Sequence, residues 1–141
     1  MKKMTTAQRD AFLQDTRLGV LTSIGPSGRP ISVPVWYDWD GEIARMFTSK
    51  TAAKVRRFSK DPAASLLAIN HIDEAEAWVA LEGNIEIKSS GGIELATDLA
   101  GRYWDLSDKN QMATLNSWKE AADAFCLLEL HPEKIRTYAG D

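Results

Sequence analysis

Hydrophobic and polar positions change period several times along the chain, and each change marks an element. Thr5 and Thr6 stand before helical spacing that reaches about Asp15, with Ala7, Ala11 and Phe12 as the expected buried side. Residues 18–24 form a compact apolar run, closed by the turn-type string Gly25-Pro26-Ser27-Gly28. Ile31, Val33, Val35 and Tyr37 then alternate with Ser32, Pro34, Trp36 and Asp38, the period of two that predicts a strand. Asp40-Gly41 is a tight hairpin signal leading into a further strand over residues 43–48. The first third therefore reads as an antiparallel meander.

Residues 51–60 switch to helical spacing and stop at Asp61-Pro62, because a residue before proline is pushed out of the helical region. Residues 64–69 are a short apolar strand, and Asp73-Glu74-Ala75-Glu76 is expected to be a solvated loop. Residues 78–87 alternate again, with Val79, Leu81, Ile85 and Ile87 on one face and Gly83 marking a bulge or a close backbone approach. One helix carries Leu95, Leu99 and Tyr103; a second, capped by Ser107-Asp108, carries Met112, Leu115 and Trp118. Residues 125–130 are an apolar strand interrupted only by Glu129; His131-Pro132 is expected to break it before residues 135–138 close the chain. Six or seven strands in consecutive hairpins, with helices inserted at two places, give a mainly β (α+β) class and favour a small antiparallel barrel.

Length and charge narrow the function classes. A chain of 141 residues reads as one domain, and 17 Lys+Arg against 20 Asp+Glu leave a net charge of −3, with no basic field to draw nucleic acid. The charged N-terminal stretch lacks the apolar segment of a signal peptide, and no apolar run is long enough for a membrane helix. A soluble, cytoplasmic protein is expected. The single cysteine, Cys126, sits in an apolar strand and reads as a core residue. With His71 and His131 it forms no set with metal-ligand spacing, so no metal is expected. Any redox chemistry would belong to an organic cofactor.

Three local features stand out. Lys50, Lys54, Arg56, Arg57 and Lys60 fall within eleven residues that contain no acid. At about 100° per residue, Lys50, Lys54 and Arg57 share one helical sector. Thr48 and Ser49 precede them, so hydroxyls, free helix N–H groups and a lysine could converge on a phosphate. The alternative is a solvated basic face. Second, Pro34 cannot donate to a ladder and so marks an edge strand or a bulge, where N–H groups of Val35 and Trp36 are left for a ligand. Trp36 and Trp39 either offer that ligand a flat surface or close a barrel end or a dimer seam. Third, Trp78 lies opposite Val79 and Leu81, at a subunit interface or against a ligand's ring system.

The order of Gly19-Val20-Leu21-Thr22, Gly28-Arg29-Pro30, Pro34-Val35-Trp36-Tyr37, Asp40-Gly41, Phe47-Thr48-Ser49, Lys54, Asp61-Pro62, Leu81-Glu82-Gly83 and Leu130-His131-Pro132-Glu133-Lys134-Ile135 resembles the pyridoxamine 5′-phosphate oxidase-like family of flavin-binding split β-barrels. The likeness runs over residues 7–139, and is greatest to small members that use FMN or the deazaflavin F420. It implies a six- to seven-stranded antiparallel split barrel with peripheral helices. It also implies a homodimer with a cofactor in each groove between the subunits. Main-chain groups of Val33, Pro34, Val35 and Trp36 would flank the isoalloxazine. Phe47, Thr48 and Ser49 would meet the ribityl chain and phosphate, and Lys54 would bind the phosphate.

The chain departs from the vitamin oxidases at three places. It has Ala53-Lys54 where they have Arg-Lys, leaving Lys50 or Arg57 to compensate; Trp78 where they have glutamine; and no C-terminal Arg-x-His. The resemblance therefore implies a flavin-dependent oxidoreductase of small organic substrates, and not a pyridoxamine phosphate oxidase. FMN is favoured by the monophosphate pieces. F420 is the alternative, its acidic tail suiting Arg56, Arg57 and Lys60. A non-enzymatic flavin or haem carrier on the same barrel is the rival. Tyr37 and Asp38 are candidate proton donors.

Overall fold

The computed structural model describes residues 2–140. Helix α1, Thr6–Gln14, begins with a reciprocal capping box: Thr5 Oγ1 accepts from the Gln8 N–H at 3.1 Å, and Gln8 Oε1 accepts from the Thr5 N–H at 2.9 Å. Its buried residue is Leu13, whereas Ala7 and Ala11 are exposed and Phe12 is half-buried. The inward face is thus rotated from the expected one. Phe12 instead lies beneath the Arg17 guanidinium, 3.8 Å from its ring centroid.

Seven strands follow: β1 Gly19–Ile24, β2 Pro30–Val35, β3 Asp38–Trp39, β4 Ala44–Ser49, β5 Ala63–Ile69, β6 Ala77–Lys88 and β7 Phe125–Ala139. Helix α2, Ala53–Lys60, joins β4 to β5, and helices α3, Gly92–Tyr103, and α4, Lys109–Glu120, join β6 to β7. All strand pairs are antiparallel, in the order β2-β1-β5-β6-β7-β4-β3, so the fold is a curled half-barrel sheet with four helices. Gly28 and Gly41, at φ 81° and 98°, supply the left-handed backbone of the two hairpin turns. Leu21, Met46, Leu66, Leu81, Leu128 and Leu130 fill the concave core with Phe58 from α2. None of the described helices is long and apolar enough to cross a membrane.

Several local expectations are corrected. β7 runs unbroken through His131-Pro132. The β6–β7 register skips Glu133, pairing Glu82 with Lys134 and Gly83 with Pro132. A Cβ on Gly83 would stand 2.0 Å from the His131 carbonyl oxygen, so the missing side chain permits the approach that carries the strand past its proline. Trp39 offers no flat surface to a ligand or to a dimer seam. It is 3% exposed in the core, and its indole N–H donates to Asp10 of α1 at 2.9 Å. Nor is the acidic loop merely solvated. Glu74 accepts from both terminal nitrogens of the buried Arg17, at 2.7 and 3.1 Å, and this bond holds its carboxyl at a pKa of about 2. Cys126 is buried as expected, and burial pushes its thiol pKa up.

Candidate functional site

The curl brings opposite ends of the sheet together. β2 stands first in the strand order and β4 sixth, yet the ring of Trp36, just past β2, lies 6.0 Å from that of Phe47 on β4. Along this seam is an open cavity of about 340 Å³, near the lower bound of the ~300–1,000 Å³ range of small-molecule sites. Pro34, Val35 and Trp36 form one wall with Leu18, and Phe47 forms another. Trp104, at the end of α3, and Trp118, on α4, complete it. Trp36 and Trp104 meet edge to face at 4.8 Å, Trp104 and Trp118 lie 5.2 Å apart, and Phe47 and Trp118 5.6 Å. Such contacts hold large apolar rings in fixed positions.

Among the described residues, one cation lines this aromatic cavity. Lys54 is the second residue of α2 and lines the cavity half-buried. Its ammonium has no hydrogen bond or ion pair among the described residues. Burial, and then the charge of Arg57, lower its pKa from the ordinary lysine value. Ala52 precedes α2 without a side-chain cap, so the first N–H groups of the helix have no side-chain partner. Beside them Ser49 Oγ and Thr51 Oγ1 lie 3.0 Å apart. An uncapped helix start, the one hydroxyl proton that the Ser49–Thr51 hydrogen bond leaves over and an unpaired lysine form a donor set suited to an anion.

The structure brings together Pro34, Val35, Trp36, Phe47 and Lys54 from the expected set. Val33 packs against the core instead of lining the cavity. Thr48 and Ser49 diverge, because successive strand residues face opposite sides: Thr48 is buried on the face of Ala44 and Met46. Lys50 is exposed between β4 and α2. Trp78 lines a different cavity with Met4, Lys134 and Arg136, and stacks on Tyr138 at 6.3 Å. Arg57 turns away from the expected sector, its Nε donating to Ser23 Oγ at 2.7 Å.

The two candidate proton donors stand outside the cavity. Tyr37 is wholly buried, its hydroxyl lacks a partner among the described residues, and burial raises its pKa far above the tyrosine value. Asp38 is paired with Arg102 at 2.8 Å. Sequence reasoning missed Leu18 and Trp104, and took Trp118 only as a helix face. Aromatic clustering among Trp36, Phe47 and the α3–α4 segment becomes visible only when the sheet curls. Among the described residues, one trio of possible metal ligands, Glu86, Glu129 and His131, is assembled from β6 and β7. Arg45 at 2.7 Å and Lys88 at 3.0 Å already hold the Glu129 carboxylate.

The sequence profile described as pyridoxamine 5′-phosphate oxidase matches residues 5–139. The chain belongs to the pyridoxamine 5′-phosphate oxidase family. Solved structures agree on the fold. A protein named F420 reductase superposes with a TM-score of 0.72 at 20% identity, over 89% of this chain and 94% of the other. An FAD-binding protein from Mesorhizobium loti gives 0.68 at 16% identity, over 99% and 98%. A haem-binding protein from Mycobacterium smegmatis gives 0.66 at 23%, over 99% of this chain but 56% of that one. A search among curated proteins finds no match by sequence. Members of one fold thus carry names for three different ligands.

Proposed function

We propose that the seam cavity binds FMN and that the protein is a flavin-dependent oxidoreductase acting on a small organic molecule. The observation that carries this is Lys54: an unpaired, half-buried ammonium beside an uncapped helix start, facing a cavity walled by aromatic rings. A planar ring system with a monophosphate tail satisfies both halves of that site. When bound, a flavin supplies hydride exchange with the substrate. Lys54 and the start of α2 hold the phosphate, with Ser49 and Lys50 beside them. Trp36, Phe47, Trp104 and Trp118 exclude water, and the main chain of Pro34–Trp36 borders the ring from the edge strand.

The distribution of charge on α2 favours FMN over F420. Arg56, Arg57 and Lys60, which would suit a long acidic tail, line a separate cavity from Lys54. Two of the three named relatives on this fold, the F420 reductase and the FAD-binding protein, support a flavin-type cofactor, whereas the third is named for haem. The open side of the seam, where Leu18 is 58% exposed, is closed in this reading by a second copy of the chain.

Titration of the apo-protein with FMN and riboflavin tests the reading. A charge-assisted bond contributes about 1.5–3 kcal/mol, so Lys54→Ala should weaken FMN by about ten- to a hundredfold and leave riboflavin unchanged. Equal behaviour of the two ligands overturns the phosphate assignment. Light scattering should give twice the 15.6 kDa chain mass; a monomer removes the closed site.

A further inference from the structure

A second cavity, of about 610 Å³, opens between the β1–β2 turn and α2. Its apolar wall is formed by Ile24, Ile31 and Val55, and its cations are Arg56, Arg57 and Lys60. None of these residues lines the aromatic seam, to which α2 contributes Lys54. The two cavities therefore share a helix but not a lining.

The cations are partly fixed. Arg57, which lines the cavity, donates from Nε to Oγ of Ser23, a residue of β1 only 2% exposed, so its side chain is anchored while its terminal nitrogens take no part in that bond. Arg56 is tied by a 2.8 Å bond from Nη1 to the Thr51 carbonyl. Among the described residues none of the three cations forms an ion pair. The one acid on the wall, Asp61, accepts the backbone N–H of Ala63 at 3.1 Å. Basic residues in a last helical turn also complement the helix dipole, but that role requires neither an apolar wall nor an anchor to a buried serine. A guanidinium already oriented loses little freedom when it receives a carboxylate.

We propose that this cavity is a second ligand site, selective for a small amphipathic anion. The acidic head is received by Arg56, Arg57 and Lys60, and the apolar body lies along Ile24, Ile31 and Val55. A volume of about 610 Å³ is that of a site for a molecule of modest size. The assignment is independent of what fills the aromatic seam.

Calorimetric titration with decanoate and with decanol tests it, in apo-protein and in FMN-loaded protein. Decanoate should bind once per chain, at least about tenfold tighter than decanol, and weaken as salt is added. Lys60→Gln should reduce decanoate affinity about fivefold and spare decanol, the loss expected for one partly solvated charge contact. Ile31→Trp should fill the cavity and remove both ligands, while FMN titrations of the two variants match the parent. Three results overturn the proposal: no saturable decanoate binding, equal affinity for decanoate and decanol, or displacement of decanoate by FMN together with its loss in Lys54→Ala. The last pattern assigns decanoate to the aromatic seam and leaves the flavin reading standing.

Discussion

The indole of Trp36 lies flat on the ring of Tyr103, with centroids 5.0 Å apart and planes 13° from parallel. The contact joins the segment after the edge strand to the last turn of α3, elements far apart in sequence. Tyr103 secures it with its hydroxyl, which donates to the Arg17 carbonyl at 2.5 Å and accepts the Tyr37 N–H at 3.3 Å. The aromatic wall is therefore tied to the backbone on both sides of β1 and β2.

Removing that hydroxyl should loosen the wall without emptying it. Tyr103→Phe keeps the stacked ring but strands a carbonyl and an N–H, at a cost of about 1–3 kcal/mol. Urea unfolding should show the loss in the midpoint with an unchanged slope. A midpoint equal to the parent's would mean that these hydrogen bonds contribute nothing net.

Lys54 should carry a stability cost in the empty protein. Its folded pKa lies below the unfolded value, so the folded state sheds its proton first. The stability of apo-protein should therefore rise as pH climbs from the lowered folded pKa toward 10.5. Lys54→Met should flatten that rise and raise apo stability near neutrality by about 1 kcal/mol, as substitutions at strained functional positions commonly do. Thermal melts across pH decide it; a less stable Lys54→Met apo-protein contradicts the prediction.

Glu74 predicts behaviour at the acid end. Its folded pKa of about 2 is depressed from 4.5. Its contribution is present above the unfolded value and is lost as pH falls from 4.5 toward 2. Glu74→Gln should lower stability at pH 7 and reduce the slope of the acid limb in that window. Parallel acid limbs for variant and parent would show that the Arg17 contact does not couple to folding.

Gly83, across from the bulge at Glu133, should tolerate no side chain. Gly83→Ala places a carbon 2.0 Å from a backbone oxygen that no rotamer can move, and should cost on the order of 3 kcal/mol or more. Chemical denaturation measures this. A cost below about 1 kcal/mol would mean that the two strands part easily there.

Strand positions were legible because a sheet with one buried face repeats every two residues, as β1 and β4 do. Pro34 announced the edge strand for the same local reason: it has no N–H to donate. Errors arose where distant partners decide. Pro132 reads as a breaker in isolation, and only Gly83 across the sheet makes it tolerable. Trp39 resembles Trp36 in composition, but the former meets Asp10 of α1 and the latter the α3–α4 rings. Lys54 was legible as a cation on a helix face; its lack of a partner was not, since that depends on where every other charge ends up. Trp104 carried no periodic signal, because it stands just past the end of α3.

Pro34 has one further effect. A sheet with a bare edge invites another strand to add to it, the first step of association between unfolding or damaged molecules. An imide at the penultimate position of that edge strand denies the incoming strand a donor it needs, while the carbonyls and the open space beside them remain. The chain can thus leave its seam accessible to a small molecule and still refuse it to a stranger's backbone. Pro34→Ala would be the substitution to watch for slow aggregation.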